Sequence, residues 1–213
     1  MQIIPAILAT SEEQYQKDIT KLNNSPSLTE GWVHIDFADN KFVQNQTIEP
    51  EIIKKSPTNL RKEAHLMVAH PKEWIEKLAN ADFERVIFHI ECEDDVEEVI
   101  DLAKEQGLEV GLAIKFETPI EKLELFVPKI DTILVMSVVP GFQGQSFIAK
   151  SLDKIKELKS KGWQTKIGID GAVKSSNIKE IIGTGVDMVT IGSYLLEGDL
   201  EENLENLWEI ING

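Results

Sequence analysis

Residues 85–114 read RVIFHIECEDDVEEVIDLAKEQGLEVGLAI, and their pattern sets the fold class. The stretch opens with an apolar, β-branched run from Arg85 to Ile90 and closes with another from Glu109 to Ile114. Between them, Asp94 to Gln106 places Val96, Val99, Ile100 and Ala103 on one helical face, and Gly107 stops the helix. Strand, helix and strand in succession imply a right-handed crossover joining two parallel strands.

The same unit recurs in both directions along the chain. Further strands are expected at Gln2 to Leu8, Trp32 to Phe37, Ala64 to Val68, Thr132 to Val138, Lys166 to Asp170 and Met188 to Ile191. Ser11 caps a helix with an acidic first turn, and Pro71 and Pro119 sit where first helical turns begin. Ser151 to Lys161 carries Leu152, Ile155 and Leu158 on one side before Gly162, and a last helix runs from about Leu200 to Ile211. Eight such units in 213 residues fit a closed (β/α)8 TIM barrel of parallel strands. A doubly wound open sheet would compete, but the Gly-x-Gly-x-x-Gly fingerprint is missing after the first strand. No Pro/Gly/Ser tract marks a linker, so residues 1–213 read as a single TIM-barrel domain.

Charge narrows the partners. The chain has 37 acidic against 22 basic side chains, a net charge of −15, which excludes a nucleic-acid binder and disfavours anionic membrane surfaces. The N-terminus lacks a basic leader and no apolar run reaches membrane-spanning length, so a cytoplasmic location is expected. Cys92 stands alone and reads as an incidental buried thiol, not a disulfide or zinc-knuckle partner.

In a barrel, chemistry collects at the carboxyl ends of the strands. His34 and Asp36 lie two apart in Trp32-Val33-His34-Ile35-Asp36-Phe37, so both point to one face of their strand. His65 in the third strand and Asp170 at the end of the seventh complete a set of two imidazoles and two carboxylates. Such a set suits one divalent metal ion (Zn, Fe(II), Mn or Co). Taken singly, each His could be a hydrogen-bonded core residue, and Asp170 before Gly171 could simply start a turn. The segment Val139-Pro140-Gly141-Phe142-Gln143-Gly144 follows the sixth strand directly. It is either an ordinary Pro-Gly turn or a loop that aims backbone N–H groups at an anion. Gly171-Ala172 and Gly192-Ser193 fall after strands seven and eight, where barrels commonly bind phosphate without needing Lys or Arg.

With these residues on the page, the chain resembles the ribulose-phosphate 3-epimerase family. The likeness is carried by HIDFADNKFVQN (34–45), HLMV (65–68), VMSVVPGFQGQSF (135–147), IDGAV (169–173), IGS (191–193) and the opening IIPAILA. The resemblance implies an isomerase of carbohydrate metabolism, in the pentose phosphate pathway, that interconverts D-ribulose 5-phosphate and D-xylulose 5-phosphate. It implies His34, Asp36, His65 and Asp170 as metal ligands, with Asp36 and Asp170 also the acid/base pair. It places His65, Gly141, Phe142, Gln143, Gly144, Asp170, Gly171, Ala172, Gly192 and Ser193 around the substrate. Met67 and Met136 become an apolar site wall, although plain core packing explains them equally well. His89 reads as structural, and Asp39 and Glu91 as rim residues without an assigned role.

The chain also departs from the family, which usually has Ser at Ala6, Met at Ala38, Gly at Asn40, Pro at Gln44 and Gly at Ala172. No ligand or acid/base group is lost, so the changes bear on substrate identity. The alternatives are a 3-epimerase of another ketose phosphate, such as allulose 6-phosphate, and a barrel that binds a sugar phosphate without turnover. The partner expected is a small phosphorylated ketose, with homo-oligomer formation left open.

Overall fold

The computed structural model describes residues 1–29, 31–142 and 144–213. Its strands are β1 (Gln2–Ile7), β2 (Trp32–Ala38), β3 (Arg61–Met67), β4 (Arg85–His89), β5 (Glu109–Ile114), β6 (Thr132–Met136), β7 (Lys166–Asp170) and β8 (Met188–Ile191). They pair in parallel in chain order, and β1 joins β8 from Gln2 opposite Met188 to Pro5 opposite Ile191, closing the barrel. The helices are α1 (Glu12–Asn23), α2 (Pro50–Ile53), α3 (Ile75–Asn80), α4 (Val96–Glu105), α5 (Lys150–Ser160), α6 (Ile178–Ile182), α7 (Ser193–Leu196) and α8 (Leu200–Asn212).

Local sequence explains where the long helices start. Ser11, Asp95 and Asp199 each accept a hydrogen bond from the backbone N–H three residues on, and each is followed by two acidic residues. A cap of this kind contributes about 1 kcal/mol, and acidic residues suit the positive end of the helix dipole. α4 buries Val99, Ile100 and Ala103 against the barrel, each larger side chain worth about 1.5–3 kcal/mol in area removed from water. The fifth crossover differs from expectation. The turn after Pro119 is a 3-10 segment, Ile120–Leu123, followed by another at Val127–Lys129. Pro128 lacks the N–H that would extend a helix there and would clash with the preceding turn.

Period-two alternation positions the site. Every residue of β2 is buried. Val33, Ile35 and Phe37 join the main apolar cluster beneath the helices, so His34 and Asp36 face the barrel interior. β3 begins three residues before the expected Ala64, at Arg61, and brings the fully buried Glu63 into the barrel. In register, His34 lies beside Glu63, Glu63 beside Arg85, and Arg85 beside Glu109, a polar row across four neighbouring strands.

Candidate functional site

β2, β3 and β7 bring His34, Asp36, His65 and Asp170 together at the carboxyl end of the barrel. One ligand atom from each lies within 4.8 Å of the other three. His65 Nδ1 is 2.8 Å from Asp36 Oδ1 and 3.6 Å from Asp170 Oδ2. His34 Nε2 stands 3.3 Å from Asp36 Oδ1. That nitrogen is buried and has no hydrogen-bond partner among the described residues. An orphaned imidazole nitrogen beside the Asp36 carboxylate fits a cation, and mixed nitrogen and oxygen donors suit Zn, Fe(II), Mn or Co. The four residues could therefore hold one divalent ion.

The two carboxyl groups are electrostatically unequal. Burial works against ionisation of Asp36, but the adjacent His34 and His65 outweigh it and hold the carboxyl well below its ordinary range. Asp170 is pushed up to about 6, by burial first and by the charge of Asp36 second. Burial also opposes protonation of His34, yet Asp36 and Glu63 raise it well above its ordinary value. A proton on His34 thus supplies positive charge that a bound cation could supply instead.

Both imidazoles are held from behind. His34 Nδ1 meets Glu63 Oε1 at 2.7 Å. His65 Nε2 meets His89 Nε2 at 3.1 Å, and His89 Nδ1 meets Glu91 Oε2 at 3.1 Å. Glu91 accepts in turn from the Lys115 N–H at 3.0 Å and from the Thr118 hydroxyl. His89 is fully buried, and burial before all else lowers it to about 4, so it is neutral near pH 7. His89 and Glu91 therefore hold the His65 ring from behind, a structural role for His89 as expected and one that Glu91 had not been assigned. Asp39 is likewise more than a rim residue, accepting from the N–H groups of Lys41, Phe42 and Ala69 and so joining the loops after β2 and β3.

Above the four residues opens a cavity of about 480 Å³. Asp36 and Asp170 reach it, and Gly141, Phe142, Gly144, Gly171, Ala172, Gly192 and Ser193 are among its lining residues. His34 and His65 lie behind the carboxylates, fully buried. Gln143 lies outside the described residues. Ala6, Met67 and Met136 also line the cavity, whereas Ala38 is buried and is not among the lining residues. Lys174 is the one cation among the described lining residues. The sequence reading missed it, although a Lys two residues beyond Ala172 was the available signal.

The loop backbones are specialised. Gly171 has φ +116, and a Cβ there would lie 2.6 Å from Val138 Cγ2. Ala172 has φ +51 and Asn40 φ +57, both positions where the family usually has Gly. Asn tolerates this left-handed region, whereas Ala is strained in it.

A family model described as the ribulose-phosphate 3 epimerase family matches residues 2–196. A ribulose-phosphate 3-epimerase from Schizosaccharomyces pombe is 32% identical over 217 residues, covering 100% of this chain and 91% of that one. One from Escherichia coli K12 is 35% identical over 208 residues, covering 92% and 88% respectively. In architecture, a 3-hexulose-6-phosphate synthase from Salmonella typhimurium superimposes with a TM-score of 0.73 at 16% identity, covering 100% of this chain and 99% of that one. That last likeness concerns the fold. The match over nearly the whole length and the relatives above 30% identity show that the chain belongs to the ribulose-phosphate 3-epimerase family.

Proposed function

We propose that this protein, as a single barrel domain in the cytoplasm, is a metal-dependent 3-epimerase interconverting D-ribulose 5-phosphate and D-xylulose 5-phosphate. The observation that carries the reading is the pair Asp36 and Asp170, two carboxylates of opposed proton affinity at the floor of one cavity. Inverting a carbon next to a ketone requires removing a proton on one face and delivering one to the other. Ionised Asp36 is the base for one epimer, and Asp170, which holds its proton more readily, is the acid that completes the inversion. The roles exchange in the reverse direction. When bound by His34, Asp36, His65 and Asp170, a divalent cation would add charge stabilisation for the substrate oxygens next to the reacting carbon. Met67 and Met136 exclude water from the same floor. Backbone N–H groups of the loops at Gly141, Gly144, Gly171, Ala172, Gly192 and Ser193, joined by Lys174, hold the phosphate.

The test is solvent deuterium incorporation at C3 of ribulose 5-phosphate, which Asp36→Asn and Asp170→Asn should each slow by orders of magnitude. Retained turnover in either variant would remove that residue from the acid/base role. Ala6 favours a second reading, because it lines the cavity where the family usually carries a hydroxyl. A larger kcat/KM on allulose 6-phosphate than on the pentose would select it.

A further inference from the structure

The residue row beneath the metal cluster makes a demand that the cluster itself does not. Glu63 is fully buried, and each of its oxygens has a close polar partner: His34 Nδ1 at 2.7 Å from Oε1, and Arg85 Nη1, which donates to Oε2 at 2.7 Å. Arg85, 2% exposed, is held by Glu109 through Nε at 2.9 Å and Nη2 at 2.5 Å. Its guanidinium also lies 4.0 Å from the centre of the Trp32 ring. A guanidinium donates and never accepts. It cannot turn away, because Glu109 and Trp32 hold it.

We infer that Glu63, oriented by Arg85, is a positioning residue that keeps the proton on His34 Nδ1 and so leaves Nε2 bare for the metal. A neutral imidazole carries its proton on one nitrogen only. An acceptor 2.7 Å from Nδ1 therefore selects the tautomer whose lone pair faces Asp36, His65 and Asp170. The inference rests on the metal centre proposed above. A merely structural Glu63–Arg85 ion pair would leave the choice of tautomer open.

Glu63→Gln separates the two. Arg85 claims the amide oxygen, which turns the NH2 group toward His34 Nδ1 and forces the proton to Nε2. Cobalt(II) affinity, read from its visible absorption in competition with a chelator, should fall about 10–100-fold. In Glu63→Gln/Arg85→Met the amide is free to turn its oxygen to His34, and affinity should recover most of that loss. Unchanged affinity in Glu63→Gln, or no recovery in the double variant, would overturn the inference while the metal centre stands. A wild-type protein that binds no cobalt(II) would remove the metal centre and this inference with it. Should Glu63→Gln not fold, 15N NMR of the zinc-loaded wild type decides alone. A proton on His34 Nδ1 is the expected result, and a proton on Nε2 would overturn the inference.

Discussion

Asn45 Nδ2 donates to the carbonyl oxygen of Gly141 at 2.7 Å, so the loop after β2 is tied to the loop after β6 across the mouth of the cavity. Replacing Asn45 by Ala removes a half-buried hydrogen bond worth about 1 kcal/mol. The β6 loop should then be cleaved faster in limited proteolysis and KM should rise, with kcat changed less because the floor is untouched.

Ala172→Gly should stabilise the protein. The left-handed backbone at φ +51 costs an alanine about 1 kcal/mol that glycine does not bear. Urea unfolding should show a higher midpoint and steady-state kinetics a lower KM. Gly171→Ala should act oppositely, since its Cβ would meet Val138 at 2.6 Å.

Metal affinity should weaken as pH falls. His34 is raised above its ordinary value, so its Nε2 holds a proton that the cation must displace, and a proton on Asp170, raised to about 6, weakens that carboxyl as a ligand. Below about pH 6, chelator competition should show a loss of roughly tenfold per pH unit for each proton displaced. A flat profile between pH 5 and 7 would contradict the assignment of these ligands.

Lys174 lines the cavity proposed to take a dianionic substrate, in a protein of net charge −15. Lys174→Met should raise KM roughly fivefold, the ~1 kcal/mol of one charge pair in water, and leave kcat near wild type. Added salt should hinder capture little in the wild type, because the acidic surface it screens repels the substrate.

Burial first of all raises the Cys92 thiol to about 11. At pH 8 it is almost wholly protonated, and the thiol is far less nucleophilic than the thiolate. Modification by iodoacetamide should be slow in the folded protein and rapid in urea.

The barrel was readable because strands of a closed parallel sheet are covered on both faces and so appear as continuous apolar runs. Polar residues inside such runs stand out. His34 and Asp36 show the period of two, while His65 and Asp170 interrupt otherwise apolar segments. The start of β3 was not readable, since Arg61, Lys62 and Glu63 look like a solvent-facing lead-in. Burial of Glu63 is tolerable only because Arg85 and His34, 22 and 29 residues away, meet its two oxygens. The partner of His89 escaped for a similar reason, His65 lying 24 residues off.

By itself the sequence determined the alternation of strands and helices, the inward pairing of His34 with Asp36, and the loops of small residues after the last three strands. These follow from local periodicity, which needs no knowledge of the partner element. Only the tertiary structure decided that four side chains from three strands meet within 4.8 Å, that Glu63 and His89 stand behind the two imidazoles, and that Lys174 reaches the cavity while Ala38 does not. Barrel closure and strand register set those distances. A residue's charge state and partners depend on what closure brings beside it.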